Sequence, residues 1–141
     1  MLILSKKLWE TDRIIKIHFT DNWTSNDTYI ITDCILNELK ELIIEAKNTK
    51  RPGYIICDCT KGEIPPFTLA LKVAKFMAGI HDILVEGLVC TIMYVKLDAH
   101  KLWIDRIQQL VTPARPLYMV EHKKDIKKYI NLSVLDNTGL V

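Results

Sequence analysis

The sequence predicts a single α/β domain, a mixed and mostly parallel sheet of about five strands packed with about four helices, ordered β-β-α-β-α-β-α-β-α. Three observations point there. Tyr54–Cys59, Leu88–Val95 and Leu117–Val120 are short, nearly unbroken apolar runs, the pattern of strands covered on both faces. Between them lie longer stretches with helical spacing. The length, 141 residues with 49% apolar and 26% charged side chains, suits one domain and excludes a disordered chain.

The first element is a candidate strand within Leu2–Leu8, joined to Arg13–Phe19 by a turn at Trp9-Glu10-Thr11-Asp12. Ile15, Ile17 and Phe19 alternate with Lys16 and His18, as in a half-buried strand. The cluster Asn22-Trp23-Thr24-Ser25-Asn26-Asp27 is rich in residues that cap helix N-termini. Tyr29-Ile30-Ile31-Thr32 has strand propensity. Yet Ile31, Ile35, Leu39, Leu42 and Ala46 recur at spacings of 4, 4, 3 and 4, a stripe widened by Cys34 and Ile43. The period outweighs the propensity and predicts one helix from about Asp27 to Asn48, with Glu38, Lys40, Glu41 and Glu45 on its wet side. Lys50-Arg51-Pro52-Gly53 is its exit turn.

After the Tyr54–Cys59 strand, Pro65-Pro66 opens a helix from about Pro66 to Ile80 with φ preset. Thr68, Lys72 and Lys75 form its single narrow polar stripe, and nearly every other position is apolar. A surface helix ordinarily carries an apolar arc of about 100° or a little more. Something besides the sheet must cover this one. Ile83–Val95, broken by Glu86 and Gly87, reads as a short linker followed by the Leu88–Val95 strand. Asp98 suits the N-cap of a helix over Ala99–Val111, with a stripe through Ala99, Trp103, Ile107, Leu110 and Val111. Leu117–Val120 is a third interior strand. A last helix, about Lys123–Ile130, packs through Ile126, Tyr129 and Ile130. Residues 1–130 form the domain and 131–141 a tail without pattern.

The Met1–Leu8 start places its apolar residues before Lys6 and Lys7, the reverse of a secretory signal, and no window reaches the ~18 apolar residues of a membrane span. Cys34, Cys57, Cys59 and Cys90 lie within apolar periodic segments, not in loops. They read as reduced and mostly buried thiols of an intracellular, cytoplasmic protein. The net charge of +2 implies no polyelectrolyte partner, and nucleic acid is not expected.

From Tyr54 onward the order of elements has a familiar cadence. A buried strand ends in Asp58-Cys59-Thr60, an apolar helix follows, and Gly87-Leu88 opens the next strand. Trp103 is central in the following helix, and Asp125-Ile126-Lys127-Lys128-Tyr129-Ile130 closes the pattern. Over residues 13 to 130 this resembles the STAS domains (sulfate transporter and anti-sigma factor antagonist) and the related CRAL-TRIO lipid-binding domains. His100-Lys101-Leu102-Trp103-Ile104 up to Val120 looks especially like the C-terminal half of the CRAL-TRIO pattern. The STAS resemblance implies a non-enzymatic binding or regulatory module. Bacterial members carry a phosphorylatable Ser in the turn before the helix after the third strand. The matching position here is Pro65 or Pro66, without a hydroxyl, and Thr68 is an off-register substitute. The CRAL-TRIO resemblance implies a hydrophobic ligand, but the usual N-terminal helical extension is missing.

Read without any resemblance, the residues offer little catalysis. Cys57 and Cys59 share one face of a strand, without the further ligands a metal needs or the Cys-x-x-Cys spacing of redox sites. Asp58 points to the opposite face and either caps the following loop or joins Thr60 and Thr68 at a loop site near the strand ends. His18, His81, His100 and His122 are scattered, and no metal, serine-hydrolase or phosphate-loop string accompanies them. Neither cofactor nor metal is expected. Lys123, Lys124, Lys127 and Lys128 form a basic patch, either a solvated face or a contact for an acidic partner or anionic membrane surface. The Pro66–Ile80 helix is the main functional clue, through Phe67, Leu71, Phe76, Met77 and Ile80. Its apolar excess signals a protein partner, self-association or the wall of a ligand cavity. The leading expectation is a non-catalytic protein-interaction module; the alternative is a carrier of a hydrophobic ligand or lipid. The weakest reading is an enzyme using Asp58, Thr60 or the thiols.

Overall fold

Five strands and six helices follow from these patterns, in a computed structural model that describes residues 1–21, 23, 26–96 and 98–130. The strands are β1 (Leu2–Ser5), β2 (Ile14–Phe19), β3 (Gly53–Asp58), β4 (Leu88–Tyr94) and β5 (Leu117–Val120). The helices are α1 (Trp9–Asp12), α2 (Thr28–Thr49), α3 (Phe67–Gly79), α4 (His81–Gly87), α5 (Asp98–Leu110) and α6 (Lys123–Ile126). The sheet runs in chain order, β1-β2-β3-β4-β5. β1 pairs antiparallel with β2 and every other neighbour is parallel. Ile17, Cys57 and Met93 stand side by side on one face.

Parallel strands joined in sequential order by right-handed crossovers carry their connecting helices on one side. The larger core lies there: Ile15, Ile17, Ile55, Cys57 and Met93 of the sheet pack with Leu39, Ile43, Leu69, Leu84 and Ile104 of α2 to α5. The other face carries Ile14, Ile56, Cys90, Ile92, Tyr94 and Val120, with Ile126 and Ile130 packed on them.

Several expectations shift. The Trp9-Glu10-Thr11-Asp12 turn is one turn of helix, closed by Arg13 in the left-handed conformation (φ 58°). The linker at Ile83–Gly87 is part of α4, a seven-residue helix that packs on α2. Gly87 permits that approach, because a Cβ there would come within 2.5 Å of the Ile43 carbonyl oxygen. The buried stripe of α2 is Thr28, Thr32, Leu36, Leu39, Ile43 and Ala46, so Ile31, Ile35 and Leu42 are only half-buried and Cys34 is exposed. Two threonines on the stripe hid its phase. The Thr32 hydroxyl donates to the Thr28 carbonyl at 2.7 Å and is thereby buried without loss. β5 is an edge strand, not an interior one, with Tyr118 and Met119 exposed. α5 buries His100 and Ile104, leaving Ala99 and Leu110 exposed. The last helix is a single turn. The capping cluster falls partly, at residues 22, 24 and 25, outside the described residues, and so does the tail at 131–141. Among the described residues no helix is long and apolar enough to cross a membrane.

Candidate functional site

α3 begins where Pro66 presets its backbone and runs thirteen residues, of which only Leu69 and Ala70 are buried. It stands off from the sheet, its main neighbours being α2, α4 and α5 with no strand among them. Phe67 is 41% exposed, Leu71 is half-buried, and Phe76 and Met77 lean partly buried against the core. Ile80 departs from expectation. It sits in the joint between α3 and α4, 7% exposed, as core and not as surface.

Sequence reasoning missed the start of α2 as a neighbour of this face. The Tyr29 hydroxyl and Thr68 Oγ1 are hydrogen-bonded at 3.0 Å. Lys72 Nζ lies 5.6 Å from the centroid of the Tyr29 ring and 2.9 Å from Asp33 Oδ1. Tyr29 is exposed and Ile30, next to it, is 64% exposed. The strand-like run Tyr29-Ile30 inside a helical period was the available signal: apolar residues off the stripe must face outward.

Behind α3 lies a partly open cavity of about 200 Å³, bounded by the sheet, α2, α3 and α5. Ile17, Leu39, Cys57, Ala74, Met77 and Trp103 are among its walls, and the lining is overwhelmingly apolar. The Trp103 indole nitrogen is buried without a hydrogen-bond partner.

The loop site divides. Asp58 Oδ1 accepts from the Thr60 backbone N–H at 2.9 Å and from its hydroxyl at 2.6 Å, the capping arrangement expected of this carboxylate. Thr68 is not part of it, being tied to Tyr29 on α3. Asp58 is 2% exposed, its Oδ2 accepts no hydrogen bond, and His18 Nδ1 lies 3.7 Å from it. Burial holds His18 below its ordinary pKa, with the Asp58 charge opposing. Lys16 is also lowered, by burial first and then by Lys7, Lys123 and Lys61. Cys57 and Cys59 are poor nucleophiles. Burial pushes Cys57 to about 12 and Cys59 higher still, so neither forms thiolate near neutrality. Among the described residues no group of three His, Cys, Asp or Glu side chains could hold a metal ion.

The four lysines of the basic patch are all exposed; Lys123 and Lys124 open the single turn of α6, and Lys127 and Lys128 follow it. Lys128 is spent on Asp125 at 3.0 Å.

With this geometry in hand, one solved structure is similar in fold: the diguanylate cyclase SiaD in complex with its activator SiaC, from Pseudomonas aeruginosa. The chain shares its fold with the activator, SiaC. The TM-score is 0.58 at 5% sequence identity, over 85% of this chain and 93% of that one. No protein-family model matches the sequence, and no curated protein does. The likeness to SiaC concerns the arrangement of the single α/β domain and its five-stranded mixed sheet. It lends no support to the CRAL-TRIO part of the sequence resemblance.

Proposed function

We propose that this domain is a STAS-like, non-catalytic regulatory module that works inside the cell by binding another protein through the outer face of α3 and the start of α2. The carrying observation is α3 itself: apolar around most of its circumference, yet buried at only Leu69 and Ala70. An exposed apolar patch is costly in a monomer unless something covers it. The fold neighbour is an activator in complex with the enzyme it activates, which supports a partner over catalysis. The deeply protonated thiols of Cys57 and Cys59 and the self-capped Asp58 point the same way. A second copy of this chain is the other occupant of the same face. Lys123, Lys124 and Lys127 would supply attraction for an acidic partner or surface, while the loop residues Asp58 and Thr60 hold the strand end.

The test uses Phe67→Glu with Ile30→Glu, two exposed positions whose change leaves the core intact. Wild type is expected to run as a complex or dimer in size-exclusion with light scattering, and the double variant as a monomer with an unchanged melting midpoint. Monomers in both, with the same proteins recovered from cell extract on both, would end the proposal. A hydrophobic ligand is favoured only by the cavity behind α3, and native mass spectra of gently purified protein test it directly.

A further inference from the structure

The molecule has three tryptophans, and two of them have found acceptors. Trp9 Nε1 donates to Glu45 Oε2 at 2.8 Å, and Trp23 Nε1 to the Glu63 carbonyl at 2.9 Å. Trp103 Nε1 has no acceptor although it is sealed from solvent. A buried N–H left unpaired is expensive, and native folds rarely keep one without reason. The Trp103 ring is also a wall of the cavity behind α3. Phe19 meets it edge to face, with centroids 6.3 Å apart, and Trp23 in turn meets Phe19 at 5.8 Å. All three rings line the same space.

The volume restricts what could enter. An apolar cavity of ~150 Å³ suffices for benzene, so about 200 Å³ suits one or two small rings and falls short of a long acyl chain. Aromatic walls already packed edge to face favour another ring over an aliphatic tail. Thr91, Gln108 and Arg115 add the little polar surface of the lining, and the unpaired Trp103 N–H favours a ring bearing an acceptor. We infer that the cavity between the sheet, α3 and α5 is a binding site for a small aromatic molecule carrying a carbonyl or ether oxygen, which the Trp103 indole N–H engages after a slight turn of its ring. This goes beyond the partner surface and does not rest on it, since the cavity lies behind α3 and Phe67 and Ile30 are not among its walls.

Acetophenone and ethylbenzene, nearly equal in shape, are the probes, because only the first has an acceptor. In proton–nitrogen spectra of the whole chain the three indole N–H signals report separately. Acetophenone is expected to move the Trp103 signal downfield in a saturable way, leaving Trp9 and Trp23 in place, and to bind several-fold more tightly than ethylbenzene. Ala74→Leu fills the cavity from α3 and should weaken acetophenone at least tenfold while raising the melting midpoint by about 3 °C. Should that variant not fold, Ala70→Val adds less volume at the same wall. The Phe67→Glu, Ile30→Glu protein should keep the full response, so failure of the partner surface and failure of the ligand site are told apart. No perturbation by either compound, equal binding of both with a stationary Trp103 signal, or a response that survives both filling variants would each overturn the inference.

Discussion

Two tryptophans on the same side of the sheet hold their surroundings in opposite ways. Trp9 is fully buried, gives its N–H to Glu45 and lies under the Arg13 guanidinium, 4.7 Å from its ring centroid. Arg13, 5% exposed, donates in turn to Glu45 at 3.2 Å and to Thr49 at 3.1 Å. These bonds clamp the start of β2 to the last turns of α2. Trp103, on α5, has its ring against Phe19, a void beside it and an N–H with no acceptor. The clamp pairs the Trp9 N–H and two Arg13 nitrogens and leaves Arg13 Nε over, whereas the single N–H of Trp103, beside the cavity, has no acceptor at all.

The severest way to break this comparison is Trp9→Ala. Removing a fully buried indole costs about 3–5 kcal/mol through lost transfer energy and the cavity left behind. It also deprives Glu45 of a donor and Arg13 of the ring beneath it. Urea unfolding followed by circular dichroism measures it, and a loss below about 1 kcal/mol would mean the clamp holds nothing.

Glu45→Gln is the next largest change. It leaves the buried Arg13 without its countercharge and should cost about 1–2 kcal/mol, limited by the solvent exposure of Glu45 itself. It also carries a pH signature. The Trp9 indole and then Arg13 hold the Glu45 carboxyl below its ordinary value of 4.5. A depressed folded pKa contributes stability that is fully present above pH 4.5 and lost as pH falls below it through the folded value. Unfolding midpoints taken from neutrality down to acid should therefore fall less steeply for Glu45→Gln than for wild type below pH 4.5. Parallel curves would sever the acid response from this residue.

The two regions were also unequally readable from the chain. Apolar runs such as Leu88–Tyr94 announce themselves, because burial on both sheet faces leaves no polar position to confuse the pattern. α2 came out within a residue at each end, since twenty-two residues of one period outvote a local preference. Its phase slipped by one because Thr28 and Thr32 count as polar until their local hydrogen bonding is known. α4 was missed because seven residues ending in Gly87 look like a linker until Ile43 is placed opposite. The apolar excess of α3 was visible, and of its named residues only Ile80 proved to be interior. The clamp had no local signal, and the cavity had only the apolar excess of α3, which allowed a cavity wall as one of three readings. Trp9 and Glu45 are 36 residues apart, and a void is a property of how α3 and α5 sit, not of any one segment.

Trp103→Phe should have the smallest effect and sharpens the comparison most. Phenylalanine keeps a ring against Phe19 and discards an N–H that has no acceptor. The relief of an unpaired buried donor and the loss of part of the indole's contact area oppose each other. The net change in stability should lie within about 1 kcal/mol. Trp9→Phe makes the same chemical change but forfeits a bond to a carboxylate, worth about 1.5–3 kcal/mol. Denaturant unfolding of the two variants side by side isolates the N–H, because ring and volume change alike. If Trp103→Phe proves as damaging as Trp9→Phe, the Trp103 donor already has an acceptor in solution and the contrast between the two ends of the core disappears.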